Sequence, residues 1–232
     1  MNIPILMYHS ISSDLNSFSV NPQNFEKQMN FMNRNNYKTT SLNNLDDLDQ
    51  NSKYFIITFD DGYEDVYYNA LPILKKFGFT SICYFVTDLI GHYNIWDKNK
   101  KDFKQLKLMD IDKINFWLKS GMEIGAHTST HKNLSKLNYI QKKIEILSPK
   151  KFFKKKFSID ISSFSYPFGK FDNESVNLVK ENYINAVTTK RSRYKNNKFD
   201  KYMLPRVPIN KTTNMFKFFL KISTPYEDIK YK

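Results

Sequence analysis

Short, almost continuous apolar runs recur along this chain, separated by longer stretches of helical character. That alternation constrains the fold more than any other feature, because it is the pattern of successive βα units. The runs cover residues 3–8, 54–59, 81–86, 123–126, 163–166, 185–188 and 203–206. Most lack in-out alternation, as expected of strands covered on both faces. Helices are expected between them. Asn21-Pro22 reads as an N-cap followed by proline at the first helical position, with Phe25, Met29 and Met32 on one face. A helix over 67–77 should be kinked or started by Pro72 and stopped by Gly78; Asp110 should cap a helix ended by Gly121. A long basic helix over 135–157 should break at Pro149, and helices over 172–182 and 212–222 complete the set. Residues 43–52 and 190–201 read as surface loops. The expected fold is α/β, an irregular (β/α) barrel of about seven parallel strands. It forms one domain over 1–232, with 223–232 a basic C-terminal tail.

Polar residues cluster where these strands end. His9 follows the first, Asp60-Asp61 close the second within Thr58-Phe59-Asp60-Asp61-Gly62, and His127 and His131 follow the fourth. Tyr166-Pro167-Phe168-Gly169 follows the fifth, and Arg206 ends the last. In a barrel, the carboxyl ends of the strands converge on one face, where catalysis resides. Two carboxylates and two histidines suit a mononuclear metal hydrolase: one Asp and both His hold a divalent cation, and the second Asp serves as a base toward water. Each signal alone is weak. Asp61-Gly62 could be a hairpin turn, but residues 63–76 read as helix rather than a returning strand. His9 by itself reads as a hydrogen-bonded strand-end histidine, and His92 as a partly exposed loop histidine. Tyr93, Trp96 and Tyr166 suit either sugar stacking or core packing.

Of the four histidines, none follows His131. The only cysteine, Cys83, lies in an apolar run, so an intrachain disulfide is excluded and a buried thiol is expected. No apolar stretch approaches the length of a membrane span, and the N-terminus does not read as a signal peptide. A cytoplasmic location, with peripheral contact to an anionic membrane or glycan surface, is the expectation. The net charge of +13 invites a nucleic-acid reading. The lysines are nevertheless spread widely, and alanine occurs only as Ala70, Ala126 and Ala186, which points to compositional drift and solvated helix faces. No specific nucleic-acid partner is expected.

The motifs resemble those of the polysaccharide deacetylase family, carbohydrate esterase family four. Thr58–Gly62 is similar to its first motif, His127–His131 to its His-Ser/Thr-x-x-His second motif, and Phe164–Gly169 to its third. The likeness runs from Leu6-Met7-Tyr8-His9 to Leu204-Pro205-Arg206. It implies a metal-dependent N-deacetylase acting on an N-acetylated saccharide, with Asp61, His127 and His131 as metal ligands and Asp60 as general base. Zn2+ is the expected metal, with Fe2+, Co2+ and Ni2+ also suited to the ligands. Two departures exist. The third motif lacks its opening arginine, and the late histidine that serves many members as general acid is missing. Both departures resemble the branch of poly-N-acetylglucosamine deacetylases, in which a Met-Tyr-His segment supplies the acid, here His9. Arg206 is then expected to brace Asp60 in place of the missing arginine. Trp96, Tyr166, Pro167 and Phe168 are expected at the substrate, with a backbone N–H near Phe168 facing the oxyanion. Three alternatives stay open: hydrolysis of another C–N amide, a catalytically impaired glycan-binding module, and a nucleic-acid binder.

Overall fold

Each apolar run becomes a strand in the computed structural model, which describes residues 2–13, 16–99, 103–196 and 198–230. In chain order the strands are β1 (Asn2–Ile3), β2 (Ile5–Tyr8), β3 (Tyr37–Thr39), β4 (Lys53–Phe59), β5 (Ile82–Phe85), β6 (Glu123–Ala126), β7 (Ser163–Ser165), β8 (Asn185–Arg191), β9 (Tyr194–Lys195) and β10 (Leu204–Pro208). The helices are α1 (Pro22–Arg34), α2 (Leu71–Phe77), α3 (Ile111–Lys119), α4 (Tyr139–Phe157), α5 (Asn173–Asn182), α6 (Met215–Ser223) and α7 (Tyr226–Lys230). Strand β2 pairs in parallel with both β10 and β4, so seven parallel strands close in the order β2-β10-β8-β7-β6-β5-β4. This is the expected (β/α) barrel. Strand β3, which no apolar run announces, pairs with the start of β4 ahead of the residues that β2 takes.

Side-chain alternation then sorts the core into two layers. One set of strand residues (Leu6, Tyr8, Ile57, Phe59, Cys83, Phe85) packs with helix residues such as Phe25, Met29 and Trp117. The other (Ile3, Ile5, Ile56, Ile82, Tyr84, Val187, Leu204) forms its own cluster, filling the barrel as side chains fill small barrels generally. Asp60 and Arg206 share the parity of Ile56 and Leu204, so both belong to the inner set. That parity decides the chemistry described below.

Local signals place most helix ends. Asn21 accepts from Gln23 N, Asp110 from Lys113 N, Asp172 from Ser175 N and Asn214 from Lys217 N. Gly78 ends α2 at φ 67°, and Pro72 sits in its first turn after a π-helical turn over Val66–Ala70. Pro149 does not break α4, contrary to expectation. The Tyr183 hydroxyl donates to Ile146 O (2.7 Å) in the turn that Pro149 disturbs, and the helix continues to Phe157. Nor is all of 190–201 a loop: β8 runs to Arg191, and β9 pairs antiparallel with β1. Asn197 lies outside the described residues.

The expected basic tail is also corrected. Its described part folds as the end of α6 and as α7, and only 231–232 lie outside the described residues. Glu227 is buried against Lys221, and Asp228 accepts from Arg193 Nη2 (2.8 Å) and Arg193 N (2.9 Å), with Lys195 Nζ at 3.2 Å. Burial pushes the Asp228 carboxyl up, but Arg193 and Lys195 outweigh it and hold the pKa at about 2. A carboxyl lowered on folding stabilises above its unfolded pKa and loses that contribution as pH falls through the folded value. Asp228→Asn is therefore expected to lower stability by about 2 kcal/mol near pH 7. The Tm gap between wild type and variant should close between about pH 4 and pH 2; a gap constant across that range would refute the assignment. Among the described residues, no helix is long and apolar enough to cross a membrane.

Candidate metal centre and active site

The carboxyl ends of β2, β4, β6 and β7, with Thr189 of β8, meet around a cavity of about 190 Å3. Its walls include His9, Asp60, Asp61, His127, His131 and Phe168. Asp61 Oδ1 lies 3.4 Å from His127 Nε2 and 3.2 Å from His131 Nε2. All three residues are buried. The chain bends sharply to bring them together: Asp61, Thr128 and His131 have φ of 74°, 64° and 60°, and Phe168 has φ of 59°. Left-handed backbone at non-glycine residues costs about 1–3 kcal/mol each and collects where function needs it.

Hydrogen bonds within the loop and from other elements hold these bends. His131 N donates to Thr128 Oγ1 (2.9 Å), and Thr130 donates from N and Oγ1 to the two carboxylate oxygens of Glu145 on α4 (2.9 and 2.5 Å). His127 Nδ1 donates to Ser165 O (2.7 Å), which orients the ring with Nε2 toward Asp61 as the nitrogen available to a cation. Asp61 Oδ1 and His131 Nδ1 are buried without a hydrogen-bond partner in the described structure. Burial pushes the Asp61 carboxyl up, yet His131 and His127 hold it well below the usual carboxylate range. Three ligand atoms thus converge within 4.8 Å of one another, one of them an ionised oxygen with no hydrogen-bond donor. One carboxylate and two imidazoles fit a divalent cation by donor type and by convergence.

Asp60 stands apart from this cluster and is held differently. Arg206, fully buried, donates Nη1 to Asp60 Oδ1 (2.8 Å) and Nη2 to Oδ2 (2.6 Å). Its other donors are also used: Nε to Thr188 O (2.9 Å), Nη1 to Thr58 Oγ1 (3.0 Å) and Nη2 to Ser165 Oγ (3.3 Å). All five guanidinium N–H groups therefore have acceptors. Burial raises the Asp60 carboxyl, but the Arg206 charge prevails and keeps its pKa below the ordinary value. His9 Nε2 lies 4.0 Å from Asp60 Oδ2, and the ring is partly open to solvent at 27% exposure.

The expected substrate residues divide. Phe168 lines the cavity and packs edge-on against His131 at 4.6 Å, and Trp96 lines it with its ring stacked on His131 at 4.3 Å. Tyr166 and Pro167 do not line it. Both are buried, and Tyr166 packs on Phe171 and Phe164, so the turn presents Phe168 and keeps its other aromatic in the core. His92 is exposed and outside the cavity. Sequence reading missed Thr58, Ser165, Glu145, Phe18 and Tyr63. The first three act through hydrogen bonds that only the fold creates; Phe18 and Tyr63 stack on each other at the cavity wall.

A sequence profile of the polysaccharide deacetylase family matches residues 47–187. The chain is 34% identical over 194 residues to YxkH of Bacillus subtilis (strain 168), described as a candidate polysaccharide deacetylase. That match covers 81% of this chain and 64% of the relative, so the chain spans less than two thirds of that protein's length. It is 24% identical over 217 residues to the poly-beta-1,6-N-acetyl-D-glucosamine N-deacetylase of Staphylococcus aureus (strain MRSA252), covering 88% of this chain and 72% of the relative. Among solved structures, a candidate polysaccharide deacetylase of Bacillus anthracis superimposes with a TM-score of 0.82 at 25% identity, over 96% of this chain and 69% of that one. The Streptococcus pyogenes deacetylase PplD shares the fold, with a TM-score of 0.80 at 22% identity over 96% of this chain and 99% of that one. On the family profile and the extent of these matches, the chain belongs to the polysaccharide deacetylase family.

Proposed function

We propose that this chain is a metal-dependent hydrolase that removes the N-acetyl group from an amino sugar in a glycan or saccharide precursor. The observation that carries the reading is the separation of two adjacent carboxylates into different roles. Asp61 Oδ1 faces two imidazoles and has no hydrogen-bond partner among the described residues, whereas Asp60 is clamped in a bidentate ion pair and turned toward His9. Asp61, His127 and His131 would hold the cation. A divalent cation in such a site acts as a Lewis acid toward an amide oxygen and lowers the pKa of water toward about 7.

The remaining work falls to this chain's own side chains. Asp60, kept ionised by Arg206, accepts the proton of the attacking water, and the clamp fixes the oxygen that receives it. The guanidinium cannot take that proton in turn, since it is already fully protonated. His9 on the far side of Asp60 donates a proton to the departing amine, because an amine anion is too basic to leave in water. Acetate and a free amino sugar result. Trp96 and Phe168 wall the cavity with apolar surface, which limits water around the reacting amide and strengthens the charges inside. Substitution of Zn2+ by Fe2+, Co2+ or Ni2+ is compatible with the same three ligands.

Free-amine release from N-acetylglucosamine oligomers is the direct test, using the protein as prepared, after chelation, and with Zn2+, Co2+ or Ni2+ restored. Activity abolished by chelation and restored by metal is the expected result. A chain that binds no cation under any of these conditions would refute the reading.

A further inference from the structure

The reaction cavity does not end at Phe168. Thr189, which lines it, also lines an adjoining groove of about 460 Å3 that runs past Gly169, Lys190, Lys198 and Phe199. A further recess of about 320 Å3 shares Lys190, Lys198 and Phe199 and adds Arg191, Lys195 and Asp228. The saddle between the cavity and the groove is Gly169 against Thr189. A β-carbon at 169 would lie 1.9 Å from Thr189 Oγ1, and φ there is +62°, so glycine alone fits the close approach.

The charge of this surface is one-sided. Lys190 and Lys198 are exposed, and among the described residues no carboxylate lies within ion-pair distance of either. Lys190 Nζ sits over the Phe199 ring at 5.7 Å. The two acids in the groove are already neutralised: Asp200 by Lys180 at 2.9 Å, and Asp228 by Arg193 and Lys195. What remains is cationic, and it begins at the edge of the reaction cavity. An occupant of the groove is therefore continuous with whatever fills that cavity, which favours an extension of the substrate over a separate macromolecule.

We propose that this groove seats an anionic stretch of the saccharide chain, so that the substrate class is a glycan carrying phosphodiester or uronate charge beside the N-acetylated residue. The assignment rests on the N-deacetylase reading of the adjoining site. Phosphate and carboxylate present the same chemistry to Lys190 and Lys198, and the choice between them falls to experiment.

Direct binding decides it, by calorimetry on the full chain at low and high salt. The probes are a neutral N-acetylglucosamine oligomer, an alternating N-acetylglucosamine–glucuronate oligomer, a phosphodiester-linked N-acetylglucosamine oligomer, and a single-stranded oligonucleotide of equal charge. At least one anionic saccharide is expected to bind about tenfold more tightly than the neutral oligomer at low salt, an advantage that salt removes. The tighter of the two identifies the anion. Lys190→Gln combined with Lys198→Gln should erase most of that advantage while leaving the neutral oligomer's Kd unchanged. Equal affinity for neutral and anionic saccharides overturns the proposal, as does a variant that keeps the preference or an oligonucleotide that binds as well as the saccharides. Amine release from all saccharides alike would overturn the groove alone. Charge-selective binding with no amine release under any metal would overturn the deacetylase reading and leave the anion-binding groove.

Discussion

Asp60→Asn is expected to bind one divalent cation per chain, the stoichiometry proposed for the wild type, and to release amine about 10^3-fold more slowly. His127→Ala is expected to lose both cation and turnover. The contrast follows from position. Asp60 is outside the trio of ligand atoms that lie within 4.8 Å of one another, whereas His127 Nε2 is one of them. Asparagine keeps the shape of aspartate and can still accept from Arg206 Nη1, but it has no basic oxygen for the proton of the attacking water. His127→Ala removes an imidazole that Ser165 O had already oriented, and no other histidine lies close enough to replace it among the described residues. Metal analysis of both variants beside the amine assay reads the two roles separately. An Asp60→Asn protein that arrived without metal would make Asp60 a ligand and reverse the assignment.

Arg206→Met should unfold on the order of 10 °C below the wild type, the largest stability effect expected from one substitution in the site. Arg206 is wholly enclosed and Asp60 is 4% exposed at its side chain, so the variant leaves a buried carboxylate without its counter-charge. Breaking such a pair costs about 3–5 kcal/mol, while the packing of methionine returns little. Arg206→Lys separates charge from geometry: it keeps a cation but cannot supply five donors in a fixed fork. Its stability should fall between the two. The pH–rate profile gives a second readout. With burial still raising Asp60 and the Arg206 charge gone, the carboxyl titrates at higher pH, so the acid limb of the profile should move upward in Arg206→Met. It should move by less in Arg206→Lys, which keeps the charge and loses only the fork. An unmoved acid limb in a folded Arg206→Met protein would show that Asp60 is not the titrating base.

Much of this site can be read from residues close together in the chain. Asp60 and Asp61 end an apolar run, and His127 and His131 are four apart at the end of another; such features survive in sequence because a single turn supplies their geometry. The seven barrel strands are legible for a related reason. Strands enclosed on both faces must be apolar along their length, and that composition needs no partner to be recognised. Caps at Asn21, Asp110 and Asp172 are local as well, each a side chain bonding a backbone N–H two or three residues on.

Other features have no local signature. Pro149 reads as a helix break, yet α4 runs through it to Phe157, with Ile146 and Phe153 on either side buried in the core. The last turn reads as a basic tail until Arg193 and Lys195, far back in the chain, pair with Asp228. Tyr166 carries the same aromatic signal as Phe168, and only the left-handed turn at Phe168 sends one ring to the cavity while its neighbour stays in the core. By itself, then, the sequence determined the barrel, the acidic pair and the histidine pair, because apolar runs and short spacings encode them. Only the tertiary structure supplied the geometry: Arg206 clamps Asp60 through both carboxylate oxygens, while Asp61 Oδ1 faces His127 and His131. Arg206 stands 146 positions from Asp60, and the two meet only because barrel closure turns the same face of β4 and β10 inward. A charge pair across that distance leaves no periodicity to read. Its energy exists only once the barrel has removed water from both partners.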